Sequence, residues 1–190
     1  MKAVFLRTAA VLMIAALGAC ETVRDTPRIG GITVLRTHLG QPVARGQIAV
    51  EPMMAAAAAN PNFPAFEAAV EAELTRLGWT VVRTVGQSEQ VALVDVAQGS
   101  REAISQRLQG AGGVPPAITR PPNAISNVVA TLLEVRIKRR SDGTLFWDGR
   151  AQTEAPAGSA QAAPPMAVQK LAAALFQDFP GESGRTIRLK

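Results

Sequence analysis

The chain has one cysteine (Cys20), one histidine (His38), two tryptophans and no tyrosine. Each scarcity removes a class of chemistry. A lone cysteine forms no internal disulfide and supplies no set of thiolate ligands. With one histidine, any Ser-His-Asp arrangement or histidine metal site depends on His38. That residue ends an extended segment beside Gly40, without ligand-like spacing to Asp or Glu, and reads as a surface or loop histidine. Aromatic residues make up 4% of the chain, so stacking platforms are scarce. No glycine-rich phosphate loop follows a strand in the required order. Hydrophobic residues reach 47%, much of it alanine, which buries little area per residue.

What is present begins at the amino terminus. Lys2 and Arg7 carry positive charge, Thr8 to Leu17 is apolar, and Leu17-Gly18-Ala19-Cys20 ends the run on small residues. This is the layout of a secretory signal. The apolar stretch is shorter than the about 20 residues a membrane-spanning helix needs. The ending resembles the lipobox of bacterial lipoproteins. By that resemblance, residues 1–19 are a signal peptide that is removed, and Cys20 carries a covalent diacylglycerol and an N-acyl lipid. Three acyl chains make a lasting anchor, since each buried methylene contributes about 0.8 kcal/mol. The residue after the cysteine is Glu21 rather than Asp. By resemblance to enterobacterial sorting, this favours the periplasmic face of the outer membrane over the inner membrane. A covalently blocked Cys20 is neither nucleophile nor metal ligand.

The formal charge is +5, and losing Lys2 and Arg7 with the signal lowers it to +3. A mild excess of that sign favours anionic surfaces such as headgroups or polyanionic glycans. A periplasmic location argues against nucleic acid as a partner. The mature length suits a single domain.

Residues 20–30 read as a polar tether, broken by Pro27, and 31–190 as one α+β domain. Ile32 to Thr37 and Gly46 to Glu51 read as strands. Met53 to Ala59 reads as a poly-alanine linker. Phe66, Val70, Leu74 and Leu77 line one face of a helix that Gly78 ends. Thr80 to Val85 and Val91 to Val96 are further strands. Residues 99–123 form a Gly/Pro-rich loop in which Arg101 to Leu108 has the pattern of a short helix. A functional loop and a disordered one both fit its length.

Leu133, Val135 and Ile137 alternate with Glu134, Arg136 and Lys138, Asp142-Gly143 makes the turn, and Leu145 to Ala151 returns. That is a strong hairpin signal. Gly149 within the return strand marks a bulge or close packing. After a loop over Thr153 to Ala163, the stripe Val168, Leu171, Ala172, Leu175, Phe176 forms a helix that ends at Phe179-Pro180. For Arg185 to Lys190, an edge strand and a frayed end both fit. The whole predicts a two-layer α+β sandwich: a mainly antiparallel or mixed sheet with two helices packed on one face.

The segments Thr131-Leu132-Leu133-Glu134-Val135, Asp142 to Ala151 and Leu175-Phe176-Gln177-Asp178-Phe179-Pro180 resemble the envelope lipoprotein family known as domain of unknown function 4136. That family shows a lipobox, a helix followed by Gly and an aromatic, a strand like Val94-Asp95-Val96, a Trp-x-Gly-x-Ala strand and a helix closing on Phe-Pro. The likeness runs over roughly the mature chain, and the Gly/Pro-rich insert at Gly110 to Pro122 departs from it. The family has no established activity, so the resemblance transfers no catalytic residues.

Spacing shows no catalytic or metal-binding constellation, and the chain reads as non-enzymatic. Asp95, Glu134 and Asp148 lie on strands, where two might converge for acid/base work. Facing solvent, or pairing with Arg136 and Arg150 across the hairpin, is their plainer role. The sharpest surface feature is the basic set Arg136, Lys138, Arg139 and Arg140, a candidate contact for an anionic envelope component. A charged edge that discourages strand aggregation fits the same residues. Trp79 and Trp147 read as packing residues. The expectation is therefore a domain held to the membrane by its lipid, which binds another envelope protein or anionic component or supports envelope assembly. The competing expectation is a periplasmic hydrolase or small-ligand binder, with Asp95, Arg150 and the 99–123 loop around its site.

Overall fold

The computed structural model describes residues 30–84, 86–110 and 127–189. The expected signal segment, Cys20, the expected tether up to residue 29, and residues 111–126, which include most of the Gly/Pro-rich insert, lie outside these described residues. Seven strands form one mixed sheet: β1 (Ile32–His38), β2 (Gln47–Pro52), β3 (Thr80–Val81), β4 (Gln90–Gly99), β5 (Val128–Arg139), β6 (Leu145–Pro156) and β7 (Thr186–Leu189). Their order is β3-β2-β4-β5-β6-β1-β7. β2 pairs in parallel with β3 and β4, and the other pairs are antiparallel. Four α-helices complete the described α+β fold: α1 (Ala55–Ala58), α2 (Phe63–Arg76), α3 (Arg101–Gly110) and α4 (Pro164–Phe176).

The pleat divides the sheet into two unlike faces. Leu133, Val135 and Ile137 of β5, Val94 of β4, Trp147 of β6 and Val34 of β1 point to the first. α2 covers it with Phe66, Val70 and Leu74, and α4 with Val168, Leu171, Leu175 and Phe176. α2 and α4 also pack on each other. Full burial of a Leu or Phe side chain contributes about 1.5–3 kcal/mol, so this face holds most of the stability. The opposite face carries the alternate residues, and α3 lies on it. A small second cluster forms there from Ile104, Ala130 and Leu132, flanked by Ala97 and Leu108. The sequence placed two helices on one face. α2 and α4 occupy it, and α3 adds a helix on the other.

Several local expectations change. The poly-alanine stretch is not a linker: Ala55–Ala58 is a helical turn with Ala57 buried in the main core, as alanine's helix preference allows. Among the described residues, the strand expected over 80–85 covers Thr80–Val81, which pair with Gln47 and Ile48; residue 85 lies outside them. Within the expected 99–123 loop, 101–110 is helix α3. β6 runs on to Pro156 through the start of the second expected loop, and a 3-10 turn follows at Ala160–Ala162. The C-terminal segment is an edge strand, paired to β1. Gly149 keeps register with Val135, so it is a close-packing glycine; the hairpin's irregularity falls at Ile137/Lys138 instead.

Candidate functional site

The α3 side of the sheet gathers charges that lie far apart in the sequence. Register sets Asp95 of β4 directly opposite Glu134 of β5, and Glu134 opposite Arg150 of β6. Two residues further along the hairpin, on the same face, Arg136 is opposite Asp148. α3 lowers Arg107 onto the first pair. Its guanidinium bonds the Asp95 carboxylate, and its Nε lies 3.8 Å from Glu134 Oε2. Arg150 Nε stands 2.9 Å from Glu134 Oε1 and 3.6 Å from Asp148 Oδ1, and Arg136 Nε reaches Asp148 Oδ2 at 2.8 Å. The result is an unbroken alternation: Asp95, Arg107, Glu134, Arg150, Asp148, Arg136. At the other end of α3, Arg101 forms a two-pronged ion pair with Glu154.

Burial makes this row consequential. Asp95, Glu134 and Glu154 are all buried, where an unpaired carboxylate is costly. Two carboxylates opposed across a strand pair repel, and Arg107 sits between them. Burial raises the Glu134 carboxyl above its ordinary value; Arg150 and Arg107 oppose the rise, and Asp95 adds to it. Glu134 Oε1 and Arg150 Nε are close enough for an ion pair, yet neither atom completes a hydrogen bond.

The three carboxylates considered for acid/base work are thus brought to one face, each beside a guanidinium. Of the basic set, Arg136 pairs with Asp148, as the plainer reading had it. Arg139 lies 2.9 Å from Asp142 and packs over the Phe146 ring. Arg140 lies 2.7 Å from Glu51 and donates to Ser88 O. Lys138 is half-buried on the same strand. The four residues line the tip half of the hairpin, with carboxylates beside three of them.

His38 is engaged by backbone on both ring nitrogens: Gly40 N–H donates to Nδ1, and Nε2 lies 3.0 Å from Gly181 O. That pattern belongs to the neutral ring with its proton on Nε2. Trp79 and Trp147 are both core residues. Trp79 Nε1 donates to Gln90 Oε1.

Sequence reading missed Arg101, Arg107, Glu154 and Arg36. The first two had a usable signal, since Arg101, Ile104, Arg107 and Leu108 share one helical face. Arg36 is a buried β1 residue whose guanidinium donates to the carbonyls of Ala174 and Leu175, the open end of α4. A cation there satisfies carbonyls that lack helical partners. Burial lowers its pKa, and the charge of Asp178 opposes that.

No protein-family model matches the chain. A stretch of 65 residues is 46% identical to an uncharacterized protein of Zymomonas mobilis, covering 34% of this chain and 24% of that protein. The chain therefore matches about a quarter of that relative's length. Among solved structures, it is similar to a PDZ domain protein from Parabacteroides distasonis, with a TM-score of 0.50 at 14% identity over 83% of this chain and 38% of that one. It is also similar to PelC from Paraburkholderia phytofirmans, solved as a dodecamer, with a TM-score of 0.45 at 15% identity over 75% of this chain and 93% of that one. At 14% identity the likeness to the PDZ domain protein is one of fold.

Proposed function

We propose that this chain is a lipid-anchored envelope domain that acts by binding another envelope component rather than by catalysis. The observation that carries the reading is the run ending at Leu17-Gly18-Ala19-Cys20, in a chain with no other cysteine. The diacylglycerol and N-acyl lipid on Cys20 hold it to the membrane, at the periplasmic face of the outer membrane. The resemblance to the lipoprotein family of domain of unknown function 4136 supports the same assignment. The domain is a two-layer sandwich of the sheet with α2 and α4, and α3 is an added cover on the second face. Pairing of Asp95, Glu134 and Asp148 with arginines supports the non-catalytic reading, because all three carboxylates are engaged by guanidinium groups within the domain. The hairpin tip, with Lys138, Arg139 and Arg140, lies beyond His38 and Trp147, at the far end of β1 from Gly30. A contact through that tip therefore lies at the opposite end of the sheet from Gly30, the first described residue.

Labelled palmitate fed to a bacterial host that expresses the full chain tests the anchor. Label should enter the wild-type protein and be lost in Cys20→Ser, which should leave the membrane fraction. Equal labelling of both would refute it. Crosslinking the lipidated protein in intact envelopes should then recover one stoichiometric partner.

A further inference from the structure

α3 is held unlike the other long helices. α4 buries seven residues and α2 four. Among its described side chains, α3 buries only Ile104 fully, with Leu108 partly covered. At ten residues it is too short to be stable alone in water. What fixes it is charge at both ends: Arg101 on Glu154, and Arg107 on Asp95 and Glu134. Beneath it the sheet offers a strip of Ala97, Ala130 and Leu132 between buried carboxylates. One carboxylate oxygen there, Glu134 Oε1, is buried without a completed hydrogen bond.

The geometry points to the β4–β5 strip under α3 as a docking face for a short basic amphipathic helix of another protein, with α3 as its displaceable resident. α3 itself supplies the recognition pattern. Arg101 and Arg107 bracket Ile104 at three-residue steps, which sets two cations and one branched apolar group on a single side of a helix. The face answers with Glu154 at one end, Asp95 and Glu134 at the other, and Leu132 and Ala130 between. A competing helix with arginines at those steps meets the same charges, and a helix with carboxylates there is repelled. Opening α3 leaves the main core in place, because that core lies on the opposite face with α2 and α4.

The probe is a stapled peptide of residues 100–110, bridged between positions 102 and 106, which are both exposed in α3. Its affinity is measured on the full chain in three forms. In R101Q/R107Q the resident helix loses its ion pairs while the face stays intact. This form should bind the peptide about tenfold or more tighter than wild type. Adding D95N and E154Q removes two of the three acceptor charges, one at each end, and binding should fall back. Hydrogen exchange should quicken over residues 101–110 of R101Q/R107Q and stay unchanged over α2 and α4. Equal affinity of wild type and R101Q/R107Q, or binding that survives D95N/E154Q, would overturn the assignment. So would loss of the native tryptophan fluorescence in R101Q/R107Q, since Trp79 and Trp147 report the main core and a displaceable cover must leave it standing. Lipidation of Cys20 does not enter this test, so its failure and failure of the anchor are separate results.

Discussion

The indole N–H of Trp147 donates to Pro180 O across 3.0 Å, joining β6 to the turn after α4. Phe176 stacks on the same indole with ring centroids 5.4 Å apart, and Phe179 leans on it at 5.3 Å. Gly149 lies under the ring. Arg36 and His38 hold the turn from β1, through the carbonyls of Ala174, Leu175 and Gly181. The Trp-x-Gly-x-Ala strand and the Phe-Pro helix end, which carry the family resemblance, are therefore two halves of one packing unit.

Gly149→Ala should be strongly destabilising. A Cβ at that position would lie 2.1 Å from the Trp147 ring, and overpacking of a buried ring costs about 1–3 kcal/mol or more. Urea denaturation followed by tryptophan fluorescence measures it. A change below about 0.5 kcal/mol would contradict the packing.

Trp147→Phe separates the hydrogen bond from the stacking. Pro180 O loses its donor while most of the aromatic contact remains. The expected loss is about 1–3 kcal/mol, read from the same denaturation curves. Stability equal to wild type would show that the bond contributes nothing.

Arg36→Met should cost about 2 kcal/mol or more, because two carbonyls at the end of α4 lose a buried donor. Arg36→Lys keeps the charge but not the planar fork, and should recover only part of the loss. Full recovery by lysine would mean that charge alone matters at this helix end.

Glu134 gives a pH signature of definite sign. Its folded carboxyl is raised above the ordinary 4.5, chiefly by burial. A raised carboxyl means that the folded chain holds the proton more tightly than the unfolded chain. The contribution to stability is full below 4.5 and is lost as pH rises through the folded value. Glu134→Gln removes the titration. Subtracting its stability from wild type between about pH 4 and about pH 8 should give a difference that falls as pH rises. A flat difference, or one that rises with pH, would contradict the burial-driven shift.

Local periodicity made much of the architecture legible. α2 was visible in the spacing of Phe66, Val70 and Leu74, and α4 in Val168, Leu171 and Leu175, because one helical face is enough to bury each. The hairpin was visible in the alternation from Leu133 to Ile137 and in Asp142-Gly143, where Gly143 adopts φ +73 and Asp142 Oδ1 accepts from Thr144 N–H. β3 was overestimated because its length depends on how many partner residues β2 offers, which its own sequence does not encode. Alanine alone carries no periodicity, so the run that forms α1 gives no sign of a helix in the sequence.

By itself, the sequence determined the exclusions and the local elements. One cysteine and one histidine exclude an internal disulfide and any site built on paired thiolates or paired imidazoles, and the run into Cys20 resembles an export and lipidation signal. These follow from residue types and short spacings. Only the tertiary structure decided which charges meet. Asp95 opposes Glu134 through the β4–β5 register, Arg107 bridges them because α3 folds back over both strands, and Arg36 finds the end of α4 across the core. Ion pairs and caps of this kind join residues that are distant in the chain, and their energy depends on burial, which no local pattern of residues specifies.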